Sequence, residues 1–209
     1  MWQNTPQGID FNGFGGISVS ASKVDGRQQR SERSRQQIID AMIQLMNKGI
    51  YIPTAQQVAN EADISIRTVF RLFSEMDKLF LEIDEVLRPS YESYFDAQDT
   101  SGSLEDRIMR AVEARVSCYL EIRALFVATR SLLWRSEILT ETYQNNQKRL
   151  RQNLINMLPE LKAVKAETLE TVDAVTSFEF LERLQLNQGR CEKACRRLVY
   201  NLVLDLLTP

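Results

Sequence analysis

From about residue 36 onward, apolar residues recur along the chain at three- and four-residue intervals, the period of an α-helix. Ile38, Ile39, Met42, Ile43, Leu45 and Met46 form the stripe of a first helix ending near Lys48-Gly49. Ile50 to Pro53 make a short extended link. Thr54 is placed to cap a second helix, with Gln57 completing a capping-box pattern, and that helix runs to about Glu61. A turn at Ala62-Asp63-Ile64 follows, and Ser65 caps a third helix reaching Phe73. Ser74 or Glu75 starts a long fourth helix that continues toward Tyr94. Beyond a polar loop at 98–103, helices are predicted near 104–119, 121–134, 138–157, 163–186 and 189–207. Pro159 separates the third and fourth of these, and Asn187-Gln188-Gly189 the last two. Breakers are sparse (8 Gly, 5 Pro) and no strand-period run or internal repeat appears, so the expected fold is all-α.

Residues 54–73 carry a more specific arrangement. A helix-turn-helix needs a small residue where its second helix crosses the first, and Ala59 supplies it. Four positions later a residue must tolerate a left-handed turn, and Asp63 is among the few non-glycine types that do. Ile64 plugs the turn, and Val69 returns an apolar side chain to the core. Val69, Leu72 and Phe73, spaced i, i+3, i+4, leave Arg67, Thr68 and Arg71 facing outward, with Ser65 and Ile66 at the helix start. Arg suits guanine edges and phosphates, Ser and Thr either, and Ile a thymine methyl. A plain amphipathic helix pair would show the stripe and polar face too, but it does not require all these offsets together.

Charge adds a modest point. The whole chain carries −2, yet residues 27–78 hold eight basic and six acidic groups, while the chain after 78 holds 17 basic and 20 acidic ones. A mildly basic head on an acidic body is compatible with DNA binding. Residues 1–26 contain Gly8, Gly13, Gly15 and Gly16 without a period and are expected to be a flexible arm. Arg27, Arg30, Arg33 and Arg35 follow, and they fit either a solvated helix start or an arm that reaches phosphates or the minor groove.

Residue types narrow the chemistry. There is no His, which removes every His-based triad, general base and imidazole metal site. The three cysteines, Cys118, Cys191 and Cys195, make no disulfide framework. Cys191 and Cys195 share a helix face but lack two further ligands for a closed zinc site, so free thiols in a reducing cytoplasm are expected. No carboxylate pair stands in an unusual setting, and no apolar stretch approaches membrane-spanning length. The reading is a soluble cytoplasmic protein, not an enzyme, with no metal and no cofactor.

From Arg33 to Leu79 the chain resembles the DNA-binding domain of TetR-family repressors. The resemblance rests on Ile38-Ile39, Ala41, Leu45, Gly49, Tyr51, Thr54, Val58-Ala59, Ala62-Asp63-Ile64-Ser65, Thr68-Val69-Phe70, Phe73 and Leu79 at family spacing. It implies a helix-turn-helix head (27–79, with the motif at about 54–73) and a larger helical body (80–209) that dimerises and encloses a ligand pocket. The implied DNA-contacting residues are Arg33, Thr54, Ser65, Ile66, Arg67, Thr68, Phe70, Arg71 and Lys78. Three positions depart from the pattern. Phe70 replaces a Tyr whose hydroxyl touches a phosphate in the family, and Met76 replaces a phosphate-binding Lys. Lys78 lies about 200° further round the helix and is an imperfect substitute. Arg67 stands where a small residue is common.

The body admits two readings at each point. Leu169, Val172, Val175, Phe178, Leu181 and Leu184 form one stripe, and Ala194, Leu198, Leu202 and Leu206 another, with Val199 and Val203 beside it. They either fill the monomer core or, as the resemblance implies, build a four-helix bundle across a two-fold axis. Phe178, Leu181, Leu184, Leu198, Leu202 and Leu206 are then the interface residues. Arg115, Tyr119, Phe126, Arg130, Trp134 and Tyr143 are either core or the lining of an amphipathic effector pocket. The implied protein is a homodimer that binds a palindromic operator on double-stranded DNA and is released by a small molecule. The alternative is a dimeric helical interaction module that has lost DNA binding.

Overall fold

The computed structural model describes residues 26–96 and 99–208; the arm expected over 1–26 therefore lies outside the described residues, except Gly26, which opens the first helix. The architecture is all-α. Ten α-helices follow one another among the described residues: α1 Gly26–Asn47, α2 Ala55–Glu61, α3 Ile66–Leu72, α4 Met76–Asp96, α5 Leu104–Glu121, α6 Arg123–Arg130, α7 Glu137–Met157, α8 Ala166–Val175, α9 Phe178–Glu182 and α10 Glu192–Leu207. No helix among the described residues is long and apolar enough to cross a membrane.

Local chemistry sets the head's geometry. α1 ends in a Schellman motif. Gly49 stands at φ 84°, its N–H donates to the Met46 carbonyl, and the Ile50 N–H donates to that of Leu45 (both 2.9 Å). The same motif closes α2 on Asp63, at φ 52°, with the Ile64 N–H on the Ala59 carbonyl at 3.1 Å. The left-handed position expected of Asp63 is thus the device that turns α2 into α3. Both helices start on side-chain caps. Thr54 and Gln57 form a reciprocal capping box, and the Ser65 hydroxyl accepts from the Thr68 N–H.

Two apolar clusters make the core. Ile38, Met42, Met46, Val58, Ala59, Val69, Phe73, Leu79 and Ile83 knit α1–α3 to the start of α4, and Leu125, Ala128 and Leu132 from α6 and the turn after it complete that cluster. The second fills the body, with Tyr119, Phe126, Leu154, Phe178, Val199 and Val203 at its centre. α4 runs through both, so the head is fastened to the body by a shared helix and by α6.

Two predicted helices differ in the structure. The one near 121–134 stops at Arg130, and residues 131–135 form a turn pulled inward by Leu132, which is 1 % exposed. The helix predicted near 163–186 is broken. Thr176 donates its hydroxyl to the Val172 carbonyl at 2.8 Å, ending α8, and Ser177 caps the Phe180 N–H, starting α9. α9 continues into a π-helical turn at Arg183–Asn187.

Candidate nucleic-acid interface and internal cavity

α3 divides cleanly. Val69 is fully buried and Phe73, just past the helix end, is 2 % exposed. Ile66, Arg67, Phe70 and Arg71 are exposed on the opposite face. Neither Arg67 nor Arg71 has an ion-pair or hydrogen-bond partner among the described residues. Phe70 is 54 % exposed, a large apolar surface on a helix of seven residues. Thr68 is half-buried and shares its hydroxyl with Ser65 at 2.9 Å, while Thr54 is exposed at the start of α2. Arg33 is exposed on α1. Lys78 is exposed in the first turn of α4, beside Glu75 at 3.5 Å. Met76 is half-buried against the head cluster. α3 therefore presents an outward face whose two cations have no partner among the described residues, on a helix held by its buried edge.

Arg35, one of the four N-terminal arginines, does something else. Its guanidinium grips Glu82 of α4 and lies over the Phe73 ring at 5.2 Å. It locks α1 to α4 and is turned from the outward face.

Behind the head, residues of α4, α5, α6 and α7 line a cavity of about 60 Å³. Of the six residues named for an effector pocket, Phe126 and Tyr143 line this cavity, and the other four lie elsewhere. Arg115, 2 % exposed, pairs with Asp173 at 3.1 Å and, with Tyr119, borders a separate space of about 10 Å³, the size of one water. Arg130 pairs with Glu179 and Glu182 of α9. Trp134 is 84 % exposed because α6 has ended before it and the turn carries it into solvent.

α4 and α7 supply the lining that sequence reasoning missed. Phe80, Asp84, Tyr91 and Phe95 share one face of α4, and Thr142, Asn146, Arg149 and Asn153 face them from α7. The signal was present on α4 as an Asp inside an otherwise aromatic stripe at helical spacing. Asp84 is 8 % exposed and accepts from the Tyr91 hydroxyl at 2.8 Å and from Arg88 at 2.6 Å. Burial, with Asp84 adding to it, pushes the Tyr91 hydroxyl up to about 12. Burial and Glu179, which accepts the Tyr143 hydroxyl at 2.6 Å, raise that hydroxyl as well. Glu92 and Arg149 pair across the mouth between α4 and α7.

The six residues expected at a dimer interface separate into two groups. Phe178, Leu181 and Leu184 are 2–3 % exposed and fill the chain's own core, because the break before α9 turns them inward. Phe178 stacks on Phe126 at 4.9 Å and meets Tyr119 edge-on at 5.7 Å. Leu198 is 38 % exposed, and Leu202 and Leu206 are half-buried on α10. Leu186, on the π-helical turn, is 62 % exposed.

No protein-family model and no curated protein sequence matches the chain. Solved structures do. A TetR-like transcriptional regulator from Rhodococcus sp. RHA1 superposes with a TM-score of 0.61 at 16 % identity, covering 82 % of this chain and 93 % of that one. A second transcriptional regulator from the same organism gives 0.61 at 17 % identity, over 85 % and 95 % of the two chains. The multidrug binding protein EbrR, solved with imidazole, gives 0.63 at 15 % identity, over 87 % and 94 %. The helix-turn-helix head and the helical body behind it are together the fold of TetR-like transcriptional regulators.

Proposed function

We propose that the chain is a DNA-binding transcriptional regulator. It acts as a homodimer that lays α3 of each protomer in successive major grooves of a palindromic operator, and a small molecule in the cavity releases it. The observation that carries this reading is the outward face of α3, where Arg67 and Arg71 stand without partners among the described residues beside exposed Ile66 and Phe70. An unpaired arginine pair on a short, rigidly capped helix suits base edges and phosphates. Arg33, Thr54, Ser65, Thr68 and Lys78 surround it as backbone contacts. Leu198 and Leu202, with Leu186 and with Leu206, which also packs on the body's own core, offer an apolar strip for the second protomer. The likeness to a multidrug binding protein supports a ligand in the cavity. The site in this role is cytoplasmic and needs no metal or catalytic group.

Salt dependence tests the DNA contact. Affinity for duplex DNA is expected to fall linearly with the logarithm of salt concentration, and Arg67→Ala and Arg71→Ala each to lower affinity, with the slope reduced by about one for a lost phosphate contact. Equal affinity of wild type and both variants at every salt concentration would place the contact elsewhere.

A further inference from the structure

We propose that the small space beside Arg115 and Tyr119 is a binding site for a single water molecule, which bridges these two residues of α5 to Thr176 at the end of α8. Arg115 is 2 % and Tyr119 1 % exposed, and both line this space of about 10 Å³. Nη1 and Nη2 of Arg115 donate to Asp173 Oδ1 at 3.3 and 3.1 Å, so the guanidinium charge is met. Its Nε–H has no hydrogen-bond partner among the described residues, and neither has the Tyr119 hydroxyl. Burial raises that hydroxyl's pKa, so it keeps its proton and can donate. Two buried donors thus meet at a space that contains no protein acceptor in reach of either, and a buried polar group left unpaired is costly.

Thr176 supplies the complement. It is 5 % exposed, lines the same space, and spends its hydroxyl proton on the Val172 carbonyl at 2.8 Å, which leaves oxygen lone pairs to accept. A water there accepts from Arg115 Nε–H and Tyr119 O–H and donates to Thr176 Oγ1, within the two to four bonds usual for a buried water. Size and charge exclude other occupants. A space of about 10 Å³ holds one water and no organic effector. An anion finds no unmet positive charge, because Asp173 stands between Arg115 and Arg151 and pairs with both. Arg115 and Tyr119, two of the residues expected to meet an effector, instead hold this water, and the bridge fastens α5 to the point where α8 gives way to α9.

A crystal structure of the full chain that shows ordered solvent tests the site directly. One water is expected within about 2.7–3.2 Å of both Arg115 Nε and Tyr119 Oη. A dry space, a Tyr119 hydroxyl bonded straight to a protein acceptor, or an ion or organic molecule in the space would each overturn the assignment. Thermal melting of Tyr119→Phe gives a second reading through its sign, since the variant keeps the ring and loses only the hydroxyl. With the bridge in place the melting temperature is expected to fall by about 2–4 °C, the worth of roughly one net hydrogen bond in a chain of this size. An unpaired hydroxyl gives the opposite result, a variant as stable as wild type or more so, and that outcome would overturn the bridge. Should the variant fail to fold, the wild-type crystal structure still decides. Neither measurement involves DNA, so the outcome is independent of the regulator reading.

Discussion

Arg35 and Glu82 join α1 to α4 through two hydrogen bonds, with Nε donating to Oε2 at 2.8 Å and Nη2 to Oε1, while the guanidinium covers the Phe73 ring. The pair fixes the angle at which the head meets the helix that also lines the cavity. Both side chains are partly exposed, 35 % and 23 %, so solvent screens their attraction. Arg35→Ala is expected to lower stability by about 1 kcal/mol. Urea unfolding of the single and double variants with Glu82→Ala would check this. A coupling of nearly zero in the cycle would show that the contact with Phe73, not the ion pair, holds the joint.

Phe70 is the outward residue whose chemistry is least suited to a phosphate. Phe70→Tyr adds a hydroxyl at an exposed position and is expected to raise DNA affinity about fivefold, the worth of about one net hydrogen bond. Thermal stability should stay where it is, since 54 % of the residue is in solvent. Unchanged affinity in a gel-shift titration would mean that the ring meets a base or no DNA at all.

Leu198 and Leu202 lie one turn apart on α10 and are absent from the residues packed on the body's core. Replacing both with Glu is therefore expected to leave the protomer folded and to dissociate the homodimer, with a halved mass by light scattering and weaker DNA binding together. A doubly charged variant that remains dimeric would move the interface to another face.

Burial raises the Cys118 thiol from 9.0 to about 12 and the Tyr91 hydroxyl from 10.0 to about 12. In both cases the native state holds a proton that the unfolded state gives up sooner. The stability this contributes is complete below the unfolded values and is lost as pH rises through pH 9–12 for the thiol and 10–12 for the hydroxyl. Melting temperature is expected to fall over that window, and Tyr91→Phe to flatten the fall. The same burial protects Cys118 from alkylation, so a mild thiol reagent near neutral pH should label exposed Cys191 first. Labelling of Cys118 in the native protein at the same rate would show that the body opens readily.

The head was legible residue by residue because its rules are local. The Thr54–Gln57 box, the left-handed Asp63, the Ser65 cap and the buried Ala59 and Val69 each follow from what a few neighbouring residues can do. The body was legible only as helices. One apolar period runs without interruption from Leu169 to Leu184 and masks the Thr176-Ser177 pair, whose hydroxyls end α8 and cap α9. The break carries Phe178 onto Phe126 and Tyr119, more than fifty residues away, partners that no local pattern names. Trp134 was misplaced for a related reason: the helix pattern ran on past Arg130, whereas burial of Leu132 in the head cluster ends it. The cavity lining on α4 was readable in the sequence, since an Asp among Phe80, Tyr91 and Phe95 on one face is a polar group that needs partners.

Selection of random duplex DNA by the purified protein at near-physiological salt, with sequencing of what is retained, tests the central claim most directly. The account predicts enrichment of a palindrome whose half-site centres lie about one helical turn or a multiple of it apart, with Arg67→Ala relaxing the preference at one position in each half-site. A retained pool no different from the input, from protein confirmed as a dimer in solution, would contradict it and leave a helical interaction module in its place.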